Sequence, residues 1–271
     1  MFRRLSGALK EELHRFRHER ILDSMTEMEQ FRDYVIKVQP QEFLRYQAKS
    51  PQKRLEFDSV IGKLGLNLEG LKVLDIGPGY GDSLDVCYER GARSIEFVEI
   101  DSFFFTYNRL KRFTRGYRVN HLTGLGRLGP GKFDLVWIKG SVSADLFIAK
   151  NEFGIRDLLP SHWRAQLRSL ALSPRLVICP PLSHWLTQLE SLASSTCQFV
   201  MCPHWLSDNH GRRCKDVHNN WFTSTMLDNR YVILPKIGNH NCEPEYPITF
   251  YKNLSFTSRD GEYPKKGIHF N

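Results

Sequence analysis

The chain has 271 residues, of which 41% are hydrophobic and 25% charged, with a formal net charge of +8. Those proportions exclude extended disorder, and the lack of any run of about 18 apolar residues excludes a membrane-spanning helix. The excess of positive charge suits an anionic partner (nucleic acid, a phosphorylated metabolite or an anionic lipid surface) without choosing among them.

Residues 1–20 are charged throughout and lack the apolar centre of a secretory signal, so a cytoplasmic location is the expectation. In that setting the six cysteines are expected as free thiols. Residues 1–36 read as helix, with Leu5, Leu9, Leu13, Phe16 and Ile21 near helical spacing and Arg and Glu between them. Three uses stay open for this segment: packing on the core, a dimer contact, or a peripheral contact of its basic helix with a membrane surface. Residues 41–66 read as further helix with a break at Ser50-Pro51. Residues 1–66 are therefore expected to form a helical N-terminal extension, and 67–271 the main domain.

After residue 70 the pattern changes. Short apolar runs at 71–76, 95–100, 119–122, 133–138 and 175–179 read as strands. Helical stretches at 82–91, 103–114, 142–150 with 154–172, and 182–195 separate most of them. This alternation predicts an α/β fold with a mostly parallel sheet buried on both faces. Residues 198–202 read as a sixth strand, 221–226 or 231–234 as a seventh, and 248–251 as another.

The first run opens a loop, Asp75-Ile76-Gly77-Pro78-Gly79-Tyr80-Gly81, with glycines at alternate positions before a helix. Glycine lets a backbone turn sharply and approach a ligand with no Cβ in the way. Dinucleotide folds use G-x-G-x-x-G and set a pyrophosphate on the helix end. Here the spacing is G-x-G-x-G, and the carboxylate of Asp75 would repel a pyrophosphate. It suits a ligand that carries an amine and a sulfonium. The second run ends in Val98-Glu99-Ile100-Asp101, with Glu99 eighteen positions beyond Gly81. A carboxylate there can accept hydrogen bonds from both hydroxyls of a ribose. The two features together are far more specific than one glycine loop.

Residues 73–81 followed by 98–101 resemble motifs I and II of the class I S-adenosylmethionine (SAM)-dependent methyltransferases. The resemblance is strong over 68–140. It implies a Rossmann-like fold with a seven-stranded sheet in the order 3-2-1-4-5-7-6, the seventh strand antiparallel. It also implies SAM as cofactor, with Gly77, Pro78, Gly79 and Gly81 around the methionine and ribose and Asp75 supporting the loop or the methionine amine. Glu99 would hold the ribose hydroxyls, with Asp101 as the alternative acid, and Ile100 would pack on the adenine. The adenine amino group often meets an acidic residue after the third strand. Here Thr123 and Gly124 stand in that region, so a hydroxyl or backbone contact replaces it. Lys139, at the end of the fourth run, completes the cofactor-contacting set.

Several chemistries lack their motif. No Asn/Asp-Pro-Pro-Tyr/Phe, the usual companion of amino methylation of adenine or glutamine, follows the fourth run. No Pro-Cys nucleophile follows it either, and Lys139 has the wrong charge for a carboxylate-held Mg²⁺. What remains is transfer to a hydroxyl or amine aided by a general base, usually histidine. The segment 202–221 holds His204, His210 and His218 among Cys202, Trp205, Asp208, Arg212, Arg213, Cys214, Lys215 and Trp221, and has no apolar periodicity. It reads as a long substrate loop suited to a sugar or phosphorylated acceptor, with His210 or His218 as base. His210, Cys214 and His218 also have the spacing of zinc ligands, but no C-x-x-C pair accompanies them and no metal is expected. The chain's general texture is similar to methyltransferases of surface-polysaccharide assembly, which implies a glycan or other sugar-containing acceptor. RNA is the alternative, through residues 102–118, where rings interleave with Arg109, Lys111, Arg112, Arg115 and Arg118. The simpler reading of 102–118 is an amphipathic helix whose rings face the sheet.

Overall fold

The computed structural model describes residues 16–38, 40–121, 124–143, 182–204, 226–228, 231–234 and 249–253. Residues 16–24 are helical and lead into α1 (Met28–Val38) and α2 (Pro40–Lys63). There follow β1 (Lys72–Ile76), α3 (Asp82–Glu89), β2 (Ser94–Val98), α4 (Ser102–Arg109) and β3 (Thr114–Tyr117). A 3₁₀ turn at Leu125–Arg127 precedes β4 (Phe133–Ser143), and α5 (Leu182–Ser191), β5 (Ala193–His204), β6 (Val232–Leu234) and β7 (Thr249–Asn253) complete the described elements.

The strands form one sheet in the order β3-β2-β1-β4-β5-β7-β6. Strands β1 to β5 run parallel, and β7 lies antiparallel between β5 and β6. Side chains alternate between two cores, as the period of a strand requires. Leu74, Ile76, Val98, Val136, Ile138, Phe199 and Met201 face the layer holding Trp185, Leu186 and Leu189 of α5. Val73, Ile95, Phe97, Leu135, Trp137 and Val200 face Phe57 and Ile61 of α2 and Leu84 and Cys87 of α3. Fully burying each large apolar side chain is worth roughly 1.5–3 kcal/mol, so this double layer is the main source of stability. Cys87 and Cys197 are buried free thiols, and burial pushes both well above the ordinary thiol range.

The N-terminal helices pack on the chain itself. Leu22, Met25, Phe31, Val35 and Phe43 form a third cluster with Tyr80, Phe103, Tyr107 and Leu110. Arg109 donates to the carbonyl of Met25 at 2.8 Å, and Arg118 to the carboxylate of Asp23 at 3.1 Å. Among the described residues no helix is long and apolar enough to cross a membrane.

Four expectations need correction. The break at Ser50-Pro51 is absent, since α2 runs through Pro51. An internal proline costs a helix about 3 kcal/mol. Here both flanks are pinned to α3: Tyr46 and Ser50 donate to Asp82, and Arg54 and Asp58 pair with Glu89 and Arg90. The third strand is Thr114–Tyr117, not 119–122, and α4 ends at Arg109. This edge strand is only half-buried and so carries no apolar run. Its Gly116 sits where a Cβ would come within 2.4 Å of the Phe97 ring. The place beside β4 belongs to Ala193–His204, the sixth run in the sequence. The expected strand at 175–179 lies outside the described residues. Residues 142–143 continue β4 and begin no helix.

Candidate functional site

The carboxyl ends of β1, β2 and β3 meet at one edge of the sheet, and the glycine loop leaves β1 there. Gly77, Gly79 and Gly81 have φ of 71°, 56° and 73°. The left-handed region costs other residues roughly 1–2 kcal/mol each, which explains three glycines at alternate positions. The amide of Gly77 donates to the carbonyl of Val98 at 2.8 Å, tying the loop to β2, and that of Gly81 to the carbonyl of Pro78 at 2.9 Å. A Cβ on Gly79 would meet nothing within 4 Å, so this glycine borders open space. A Cβ on Gly81 would stand 2.0 Å from Asn108 Oδ1 and would have to displace that side chain. Asp75 is buried under the loop and accepts a hydrogen bond from the hydroxyl of Ser83. Asp82 and Asp85 occupy the first turn of α3. Asp85 is paired with Lys111, and the carboxylates of Asp75 and Asp82 make this helix end a poor seat for a pyrophosphate.

Glu99 follows β2 and is 8% exposed. Its Oε1 accepts from the amides of Ile100 at 2.8 Å and Asp101 at 3.0 Å. Burial, with the nearby charge of Asp101, outweighs these donors and pushes the carboxyl up to about 7. The bond from Gly77 to Val98 ties the glycine loop to the strand end that Glu99 follows. Ile100 beside it is 47% exposed, an apolar side chain open to solvent at the mouth of the site. Asp101 plays a separate part. Its Oδ1 accepts from the amides of Phe103 and Phe104 and caps α4.

The other expected residues divide between described and undescribed chain. The amide of Gly124 donates to the carbonyl of Asn120 at 2.7 Å, and a Cβ there would stand 2.9 Å from that oxygen. Thr123 lies outside the described residues, as do His210, Cys214 and His218. Lys139 pairs with Cys202 across β4 and β5, and Ser143 with His204. Since β1 ends opposite Ile138, this two-strand ladder extends past the glycine loop's level.

Two residues missed in the sequence hold the loop from behind. Asn108 Nδ2 donates to the carbonyl of Gly79 at 2.6 Å. Lys111 Nζ donates to the carbonyls of Tyr80 at 3.2 Å and Gly81 at 3.0 Å and to Asp85 Oδ1 at 2.8 Å. Lys111 is 8% exposed. Burial lowers its ammonium and raises the carboxyl of Asp85, and their mutual attraction opposes both shifts. Nothing in the sequence separates Lys111 from its basic neighbours. Above the loop Tyr80 stacks on Tyr46 of α2, with ring centroids 3.4 Å apart and planes 9° from parallel. Of the five cations in 102–118, Arg109, Lys111 and Arg118 make internal contacts. Arg115 lies over the Tyr117 ring at 5.5 Å, and Arg112, with its side chain 93% exposed, reaches Glu27 only at 3.9 Å.

The sheet order, the antiparallel β7 and the glycine loop after β1 agree with what the resemblance implies. The fold is that of the class I methyltransferases. No family model matches the chain, and no curated protein matches it. Among solved structures it is similar to a SAM-dependent methyltransferase from Aquifex aeolicus, at 14% identity and a TM-score of 0.47, over 76% of this chain and 97% of that one. A second, from Archaeoglobus fulgidus, is 15% identical with a TM-score of 0.46, over 79% and 99%. A third, from Mesorhizobium loti, is 13% identical with a TM-score of 0.35, and there the match spans 52% of this chain and half, 50%, of the other. These likenesses concern the path of the chain and not its substrate.

Proposed function

We propose that this chain is a SAM-dependent methyltransferase. The observation that carries the reading is the left-handed glycine loop tied by Gly77 to Val98, with the buried carboxylate of Glu99 next in the chain. The residues present fit SAM. Open space borders Gly79, where a Cβ would otherwise intrude. Glu99 offers a carboxylate held by two amides at the strand end where a ribose would lie, and Ile100 presents an exposed apolar surface beside it. The acidic surroundings of the loop favour a cationic ligand over a phosphate one. When bound, SAM supplies an electrophilic methyl group on a sulfonium. The chain's own part is to hold the ligand still, turn its reactive side to the acceptor and exclude water.

For the acceptor we propose a hydroxyl of a sugar or glycan. The support is the polar and aromatic composition of 202–221 and the chain's positive charge. His210 or His218 is the proposed general base, with His204, at the end of β5, as third candidate. RNA is the less favoured acceptor, because Arg109, Lys111 and Arg118 are engaged within the protein. A non-catalytic scaffold is disfavoured too, since a dead site has no need for a buried carboxylate at Glu99. A cytoplasmic enzyme touching lipid only through its basic N-terminal helix fits this reading. Glu99→Ala should weaken SAM binding at least tenfold, whereas an unchanged affinity would remove Glu99 from the site. His210→Ala or His218→Ala should lower turnover of a sugar acceptor and leave SAM affinity intact. Full activity in both would end the base assignment.

A further inference from the structure

We infer that Asn108 and Lys111 form a clamp that sets the cofactor affinity of the glycine loop. The inference rests on the methyltransferase reading. Each peptide unit of the loop has an amide and a carbonyl pointing opposite ways, so fixing the carbonyl fixes the amide. The carbonyls of Gly79, Tyr80 and Gly81 are held from the side of α4: one by Asn108 Nδ2, two by Lys111 Nζ. The peptide units so fixed carry the amides of Tyr80, Gly81 and Asp82, and the amide of Gly81 closes the turn by donating to the carbonyl of Pro78 at 2.9 Å. Asn108 and Lys111 therefore hold the shape of the loop that Gly77 ties to the end of β2, and neither needs to touch the ligand. They are positioning residues.

Asp85 separates this role from plain stability. Its side chain bonds Lys111 at 2.8 Å, and only its backbone amide reaches a loop carbonyl, that of Gly81 at 3.1 Å, a bond that Asp85→Asn keeps. Three variants, Lys111→Met, Asn108→Ala and Asp85→Asn, are compared with the full-length protein by calorimetric titration with S-adenosylhomocysteine and by thermal unfolding. Binding is measured at a temperature where circular dichroism shows every variant folded. Lys111→Met and Asn108→Ala are expected to weaken binding at least tenfold. Asp85→Asn should lower the Tm as much as Lys111→Met while keeping affinity within about twofold. Lys111→Arg, which restores a cation with several donors, should recover most of the affinity. If Lys111→Met does not fold, Asn108→Ala carries the test alone, since it leaves the ion pair in place. Unchanged affinity in the folded clamp variants, or losses that simply follow Tm across all three positions, would overturn the clamp. Absence of binding by the unaltered protein would instead overturn the methyltransferase reading, and the clamp's role with it.

Discussion

Asn108 stands so close to Gly81 that a Cβ at position 81 would lie 2.0 Å from Asn108 Oδ1 and would have to displace that side chain. The backbone there also has a φ of 73°. Gly81→Ala therefore combines a left-handed alanine, roughly 1–2 kcal/mol, with overpacking, typically 1–3 kcal/mol. Chemical denaturation should show a loss of about 2–5 kcal/mol. Gly126→Ala is the control, because a Cβ there meets nothing within 4 Å, and its change should stay within about 0.5 kcal/mol.

Glu99 makes ligand binding depend on pH. Burial raises its carboxyl to about 7 in the free protein. Ribose hydroxyls donate best to the ionised form, so affinity should rise with pH through about 7. At pH 6 roughly a tenth of the sites are ionised, and S-adenosylhomocysteine should bind about tenfold more weakly than at pH 8. Glu99→Gln should flatten that profile. Folding has the opposite sign: the folded protein binds this proton more tightly than the unfolded chain, so the contribution is present at acid pH and lost as pH rises through about 7.

Asp101 and Glu99 sit two residues apart and serve different ends. Asp101→Ala should cost about 1 kcal/mol of stability, the usual worth of a helix cap, as read by denaturation. Asp101→Asn keeps a capping oxygen and should keep both stability and affinity. An affinity loss in Asp101→Asn that matched Glu99→Ala would make Asp101 a ribose acid as well.

Much of this architecture was legible in the sequence because the central strands read as short, mainly apolar runs. Strands β1, β2 and β4 are of that kind, and the loop glycines and Glu99 stood out by spacing alone. Strand β3 was not legible, since Thr114, Arg115, Gly116 and Tyr117 sit half-buried at a sheet edge and look like surface chain. Pro51 misled for a different reason. A helix breaker is a local signal, and the tertiary bonds of Tyr46, Ser50 and Arg54 to α3 outweigh it. Lys111 is the plainest case of the sequence's limit. One lysine among five cations binds two carbonyls of the glycine loop, and only the fold reveals which. The proposed acceptor side rests on His210 and His218, which lie outside the described residues.

The most direct measurement is calorimetric titration of the purified protein with SAM and S-adenosylhomocysteine at pH 8, beside Glu99→Ala. Micromolar binding of both ligands, at least tenfold weaker in the variant, is the expected result. A folded protein that binds neither ligand would contradict the proposed function and leave a methyltransferase-like fold put to another use.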